Sequence, residues 1–166
     1  MSHLLFVQLE KTRGYVTKLT YRKDMENTIF KGTITELQCQ MDFTKLGYIV
    51  SQPIVPCRYD FLVDIGNTII KVQCKTCRPE NEGSTIRFEC RSTREVKSGE
   101  FAHRKYTSDE IDYFYTTWQG IGYLIPVTEC STSKSLRLTQ AKNNNPSVNY
   151  AYDYELQKTL ERREGK

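Results

Sequence analysis

YDFLVDI (residues 59–65) and TIIKVQCK (residues 68–75) are two apolar runs that only Gly66 and Asn67 separate. A two-residue link that contains glycine, placed between β-branched and aromatic segments, is typical of a tight β-hairpin. The sequence therefore predicts two antiparallel strands that are joined at this link.

The register of this hairpin decides which side chains meet. If Ile65 pairs with Thr68, then Asp60 lies opposite Gln73, and Lys75 lies two residues further along the same face. Directly opposed Cβ atoms in such a pair are roughly 5 Å apart. Asp60 and Gln73 could therefore hold one cation, with the Lys75 ammonium beside it, which is an arrangement suited to phosphodiester cleavage.

The composition predicts a single intracellular domain. The 166 residues suffice for one packed core, and 38% of them are apolar. The net charge of +4 permits a polyanionic partner without requiring one. No stretch approaches the roughly 20 apolar residues of a membrane helix, and the N-terminus lacks the basic leader of a secretion signal. We expect a cytoplasmic protein with no membrane contact.

The six cysteines should then be mostly reduced. Cys74 and Cys77 form a CxxC pair, but no second pair and no His-x-His element follows. Buried free thiols are therefore a better interpretation than a zinc site.

The first half of the chain predicts one helix and several strands. Residues 28–46 have apolar residues at helical spacing, and Gly47 follows as a stop signal. These apolar residues are Phe30, Ile34, Leu37 and Met41. Residues 48–51 and 84–91 are strand-like, and residues 92–105 are polar and basic, which indicates a surface loop.

The second half predicts another helix, a strand and a closing helix. Thr107 and Glu110 form a capping box, followed by an apolar stripe that runs to Trp118 through Ile111, Phe114 and Tyr115. Residues 123–127 read as a strand at a sheet edge, 131–149 as loop, and 152–163 as a charged helix. The order indicates an α/β protein with one mixed central sheet flanked by helices.

Residues 1–24 look like an element appended to the main domain. Residues 4–9 and 15–21 are strand-like and suggest a small hairpin. We therefore divide the chain into an N-terminal extension, residues 1–24, and a main domain, residues 25–166.

The chemistry of the hairpin suits a divalent cation. Such an ion neutralises phosphate charge and lowers the pKa of an attacking water. Mg²⁺ prefers oxygen ligands. Asp60 could supply a bridging carboxylate, and Gln73 a neutral amide oxygen unless it is simply exposed. Lys75 could orient or deprotonate the water, or stabilise the phosphorane by its charge.

The same residues have structural explanations. Asp60 and Lys75 could form a cross-strand ion pair on a solvated face. Glu36 fits a capping box with Thr33. Asp64, next to the turn, reads as a solvated carboxylate rather than a ligand.

Four segments carry a resemblance to a nuclease family. They are KGTITEL at 31–37, LGYIVS at 46–51, RYDFLVD at 58–64 and IKVQCKT at 70–76. Later segments at 106–114, 123–127, 136–138 and 150–154 agree with them. Together they resemble the group I intron-associated branch of the PD-(D/E)XK endonuclease superfamily, which includes a bacterial homing endonuclease with the restriction-enzyme fold. The resemblance covers roughly residues 28–156.

This resemblance implies a restriction-endonuclease-like αβββαβ core, cleavage of double-stranded DNA with Mg²⁺ (Mn²⁺ substituting), and a homodimer or homotetramer in a prokaryotic or phage-like setting. It implies that Asp60 is the superfamily aspartate, Gln73 occupies the acidic position and Lys75 is the lysine. Glu36 would be the helix-borne acid and, with Asp60 and Gln73, a metal ligand. Tyr59 replaces the usual proline, and Gln73 replaces the usual acid.

DNA contacts are expected from basic residues around this site. The candidates are Arg58, Lys71, Arg78, Arg91, Arg94, Lys97, Arg104 and Lys105. Residues 91–105 hold five of them and could contact phosphates, or could be a solvated loop.

The leading interpretation is therefore a Mg²⁺-dependent DNA endonuclease that cuts a specific, homing-type site. A junction resolvase or repair nuclease of the same fold is one alternative. A catalytically inactive DNA-binding or assembly protein is another. An HNH nuclease is excluded, because His3 and His103 are the only histidines.

Overall fold

The computed structural model describes residues 28–140, 148–163 and 165. This part of the chain contains two α-helices, α1 (Thr28–Lys45) and α2 (Leu156–Arg163). It also contains ten strands: β1 (Ile49–Ser51), β2 (Phe61–Asp64), β3 (Ile69–Cys74), β4 (Arg78–Glu80), β5 (Thr85–Glu89), β6 (Arg91–Lys97), β7 (Glu100–Lys105), β8 (Tyr113–Trp118), β9 (Ile121–Pro126) and β10 (Ser133–Arg137). The hairpin predicted within residues 1–24 lies outside the described residues, and the division at residue 24 stays a prediction.

A five-stranded sheet in the order β1-β2-β3-β8-β9 forms the centre of the fold. Its strands pair antiparallel except β3 and β8, which are parallel. The predicted mixed central sheet is therefore confirmed. The hairpin register is confirmed as well, because Phe61 pairs with Val72 and the Ile65 amide donates to the Thr68 carbonyl at 3.0 Å.

Helix α1 ends where the glycine signal predicts. Gly47 has a φ of +85°, a left-handed conformation that glycine adopts without steric cost. Its amide donates to the Thr44 carbonyl at 2.9 Å, and the Tyr48 amide donates to the Phe43 carbonyl at 3.1 Å. This pair of bonds is a Schellman motif, and the edge-on contact of the Phe43 and Tyr48 rings completes it.

The face of α1 that packs on the sheet is not the one that the apolar spacing indicated. Thr35, Cys39 and Phe43 are buried against the sheet. The apolar residues at helical spacing are instead 44–59% exposed; they are Phe30, Ile34, Leu37 and Met41. The helix is confirmed, but small residues such as Thr35 and Cys39 form its inner face and let it approach the sheet closely.

The prediction of a helix that begins at Thr107 is also wrong. The capping contact exists, since the Thr107 amide donates to Glu110 Oε2 at 3.3 Å, but only one turn follows. Tyr113–Trp118 then forms β8, between β3 and β9. Its aromatic and β-branched residues suit a strand buried on both faces.

Two predicted loops contain strands. Residues 92–105 fall almost entirely within β6 and β7, which pair with each other as an exposed two-stranded ribbon. Within 131–149, β10 pairs with β5 in a second sheet of order β10-β5-β4. Both loop predictions are wrong in that respect: the polar residues of 92–105 pair within their own segment, and β10 pairs with a strand more than 40 residues earlier in the chain.

The central sheet is covered on both faces. On one face, α1 and α2 bury residues such as Phe43, Val72 and Tyr115. On the other, the second sheet packs Phe88 against Phe114, with ring centroids 5.9 Å apart. Among the described residues, no helix is long and apolar enough to cross a membrane.

Candidate active site

Asp60 and Gln73 meet as the register predicts. Asp60 precedes β2, and its amide donates to the Val72 carbonyl at 2.9 Å, which continues the ladder. Gln73 Nε2 donates to Asp60 Oδ2 at 2.6 Å, and the Cys74 amide donates to the same oxygen at 2.7 Å. A cation shared by the two side chains would require the Gln73 carboxamide to turn its oxygen toward the ion.

Lys75 follows β3 directly and is half-buried. Its amide donates to the Tyr115 carbonyl at 2.8 Å, which extends the parallel pairing with β8. Its Nζ donates to the Arg91 carbonyl at 3.2 Å and lies 5.1 Å from the centroid of the Tyr106 ring. The ion pairs of the described residues do not join Lys75 to Asp60, so the surface ion pair that the sequence allowed is not formed.

Glu36 lies on the inner side of α1, close enough to Asp60 for their charges to interact. The preceding residue fixes this position, since the Thr35 and Thr76 hydroxyl oxygens are 3.2 Å apart. The capping-box explanation for Glu36 is wrong. The helix begins at Thr28, and Thr33 donates its hydroxyl to the Ile29 carbonyl inside it at 3.0 Å.

Burial dominates the electrostatics of the site. It raises the pKa of Asp60, although the Cys74 amide, the Lys75 charge and the Gln73 hydrogen bond oppose that rise. Burial and the Asp60 charge both raise the pKa of Glu36. Burial lowers the pKa of Lys75, and the Arg58 charge adds to this effect while Asp60 opposes it. Two carboxylates that disfavour each other's ionised form gain from a cation between them.

The donor set fits a hard divalent cation. Asp60 and Glu36 supply two carboxylates and Gln73 an amide oxygen, all of which are ligand types that Mg²⁺ accepts. Within the described residues, no group of three or more His, Cys, Asp or Glu side chains could hold a metal ion. An ion here would therefore depend on Gln73 and on oxygens from water or substrate.

The basic residues predicted to bind DNA lie in three places. Arg58 and Lys71 are partly buried and bond within the protein; Lys71 Nζ donates to the Asp109 carbonyl at 2.9 Å. Arg78 forms ion pairs with Glu80 and Glu89 beside β5. The other five lie on the β6–β7 ribbon: Arg91, Arg94, Lys97, Arg104 and Lys105.

Arg58 belongs to a network that sequence reasoning missed. Its Nη2 donates to Glu110 Oε2 at 3.1 Å, and its guanidinium carbon lies 3.8 Å from the centroid of the Tyr106 ring. Neither Tyr106 nor Glu110 was a candidate for the site. The capping-box pattern marked Glu110 as a structural residue but gave no sign of its distant partners.

The comparisons with known proteins agree with this geometry. The model of the PD-(D/E)XK endonuclease family matches residues 26–157. The chain therefore belongs to the PD-(D/E)XK endonuclease family, and its fold is consistent with a DNA nuclease. Nucleases of this family generally use divalent metal ions.

Among solved structures, the chain is similar to the bacterial homing endonuclease I-Ssp6803I. The two are 21% identical with a TM-score of 0.69, over 84% of this chain and 95% of that one. This likeness confirms the fold that the sequence resemblance implied. The Holliday junction resolvase Hjc of Archaeoglobus fulgidus is 15% identical with a TM-score of 0.39, over 64% and 84% of the two chains. No curated protein sequence matched significantly.

Proposed function

We propose that this chain hydrolyses phosphodiester bonds in double-stranded DNA, with Mg²⁺ as its cofactor and Asp60, Gln73, Lys75 and Glu36 as its catalytic residues. The observation that carries this proposal is the hydrogen-bonded pair of Asp60 and Gln73, with Glu36 and Lys75 within electrostatic reach of Asp60. Family membership supports the class of reaction.

Each side chain has a role in this proposal. Asp60, Glu36 and Gln73 hold the metal ion, which when bound neutralises phosphate charge and activates water. Mn²⁺ should substitute, because it accepts the same oxygen ligands. Lys75 either takes a proton from the attacking water or stabilises the charge that develops on the phosphate.

The DNA is proposed to lie across the β6–β7 ribbon. A two-stranded ribbon fits the major groove, and its five basic residues would neutralise phosphates along it. Arg78 would extend this surface. Arg58 and Lys71 are part of the same proposal, but we expect smaller effects from them because they already bond within the protein. The same holds for Arg91 and Arg104, which form ion pairs with Glu89 and Glu110.

One protomer has one such site. A double-strand break therefore requires a homodimer or a larger assembly such as a homotetramer, in which two sites face opposite strands. A homing-type nuclease would cut a long, specific site. Its DNA substrate would place the protein in the cytoplasm of a prokaryotic or phage-infected cell.

The test is cleavage of DNA by the purified protein. Supercoiled plasmid and a host-derived, intron-less allele are incubated with Mg²⁺, with Mn²⁺ or with EDTA, and the ends are mapped. Cleavage with either metal but not with EDTA supports the proposal. No strand scission on any substrate contradicts it and favours an inactive DNA-binding or assembly protein. Preferential cleavage of four-way junctions instead favours a junction resolvase.

Variants connect this activity to the site. Asp60→Asn and Lys75→Ala should each reduce cleavage by about a hundredfold or more, with DNA binding largely intact. Asp64→Asn is the matched control, because Asp64 lies on the same hairpin but is exposed and accepts a bond from the Gly66 amide. Equal losses in Asp64→Asn and Asp60→Asn would contradict the assignment.

A further inference from the structure

Two cations, the catalytic candidate Lys75 and Arg58, lie close to the ring of Tyr106. Lys75 Nζ is 5.1 Å from the ring centroid, and the Arg58 guanidinium carbon is 3.8 Å from it. An aromatic face attracts cations at these distances. The two positively charged groups are therefore held near each other by one ring.

The ring itself is anchored to the central sheet. Its edge packs on Phe114 at 5.3 Å between centroids, with the two planes at 87°. Phe114 is fully buried in β8 and pairs with Gln73 in the parallel register. The position of Tyr106 is thereby tied to the strand pair that carries the candidate active site.

Arg58 is held from three directions. Its Nη1 donates to the Ser92 hydroxyl at 2.8 Å, and its Nη2 donates to the Lys105 carbonyl at 3.0 Å and to Glu110 at 3.1 Å. Ser92 and Lys105 lie at the base of the ribbon, one on each strand. The fork of the guanidinium group therefore fastens both ribbon strands to Tyr106.

Lys75 also bonds to the base of the β6–β7 ribbon. Its only described hydrogen bond from Nζ goes to the Arg91 carbonyl, at the first residue of β6. A flexible four-carbon side chain with a single such bond needs a further surface to keep its ammonium group in one position. The Tyr106 ring, fixed by Arg58 and Phe114, supplies that surface.

We propose that Tyr106 and Arg58 are positioning residues for Lys75, and that they tie it to the base of the β6–β7 ribbon. This inference rests on the nuclease function proposed above. It assigns Arg58 mainly to holding the Tyr106 ring rather than to binding phosphate. DNA bound along the ribbon and the lysine that acts on the scissile phosphate then share one rigid support.

The experiment compares Tyr106→Leu, Tyr106→Phe and Arg58→Met with the wild type. Three quantities are measured for each: the single-turnover cleavage rate at saturating DNA and Mg²⁺, the DNA dissociation constant without metal, and the melting temperature. Tyr152→Leu is the matched control, because Lys158 Nζ lies 5.2 Å from the Tyr152 ring at an exposed place on the 3₁₀ turn before α2.

Positioning predicts a particular pattern. Tyr106→Leu and Arg58→Met should slow cleavage by about tenfold or more, with the dissociation constant within twofold of the wild type. Tyr106→Phe, which keeps the aromatic ring, should cleave at about the wild-type rate. Tyr152→Leu should cleave at the wild-type rate.

Other patterns overturn the inference. A large rise in the dissociation constant for Arg58→Met would make it a DNA contact. A variant could melt at a lower temperature and still cleave at the wild-type rate when it is assayed well below that temperature. This result would show that the network only stabilises the fold. If the wild type cleaves and the Tyr106 and Arg58 variants cleave equally well, only this inference fails. If the wild type cleaves no DNA, the proposed function itself fails and the inference falls with it.

Discussion

At the scale of single residues, the site places negative charge where its surroundings oppose it. Asp60 and Glu36 are partly withdrawn from water, and this burial raises the pKa of both; the Asp60 charge raises the pKa of Glu36 further. A protein would gain nothing for its own stability from this arrangement. A divalent cation that binds both carboxylates would offset the repulsion between them. We therefore interpret the raised pKa values as a feature of a metal site.

The raised pKa values predict a pH dependence of stability. Unfolded carboxyls titrate near pH 4. The unfolded chain therefore releases these protons before the folded protein does, and the free energy of unfolding falls as pH rises through that range. Glu36→Gln should reduce this fall when melting temperatures are compared without metal between pH 4 and 7. Glu161→Gln, at an exposed position on α2, is the control and should follow the wild type.

Two glycines provide a second prediction at this scale. A Cβ on Gly122 would lie 2.5 Å from Asp42 Oδ2 and 2.8 Å from the Tyr115 hydroxyl, which bond to each other at 2.6 Å. A Cβ on Gly32 would meet nothing within 4 Å, and Gly32 lies inside α1. Gly122→Ala should therefore destabilise the protein by about 1–3 kcal/mol, and Gly32→Ala should stabilise it by up to about 1 kcal/mol. Urea unfolding measures both, and equal effects would refute the packing argument.

At the scale of elements, the ribbon and α1 show where sequence reasoning succeeded and failed. The β2–β3 hairpin was predictable in type and register, because its turn and its alternation lie within 17 consecutive residues. The ribbon was not, since Ser92, Thr93 and Arg94 have a polar pattern that is common in loops. Thr93 instead pairs with His103, and cross-strand bonds of this kind hold the ribbon together.

The ribbon predicts the salt dependence of DNA binding. Arg94 is exposed on β6, so we expect its contact to be with a phosphate. Arg94→Ala should weaken binding for all sequences and lower the slope of log affinity against log salt by about 1. Lys158→Ala, on α2, is the control and should leave the slope unchanged. A slope unchanged by Arg94→Ala would place the DNA elsewhere.

At the scale of the whole molecule, the one proposed active site per protomer implies that a double-strand break needs two protomers. If the protein is a dimer, each protomer cuts one strand, and one defective protomer limits its dimer to nicking. Among the described residues, the apolar side chains on the outer face of α1 are 44–59% exposed; they are Phe30, Ile34, Leu37 and Met41.

Mixed assemblies test this requirement. Co-expressed wild-type and Asp60→Asn protomers with different tags should form mixed dimers in about half of all cases. These are purified through both tags and should nick plasmid DNA without linearising it. Mixed dimers of wild-type and Asp64→Asn protomers should linearise it normally. Efficient linearisation by the Asp60→Asn mixture would show that one protomer cuts both strands.

The sequence by itself determined the local features of this protein. The tight hairpin, its register, the approach of Asp60 to Gln73 and the end of α1 at Gly47 all depend on interactions between neighbouring residues or across one short turn. Only the tertiary structure decided which face of α1 is buried, that residues 113–118 form a strand, and that Lys75 and Arg58 meet at Tyr106. The bonds that hold Arg58 and Lys75 join residues 16 to 52 positions apart, and no pattern within a short window indicates such partners.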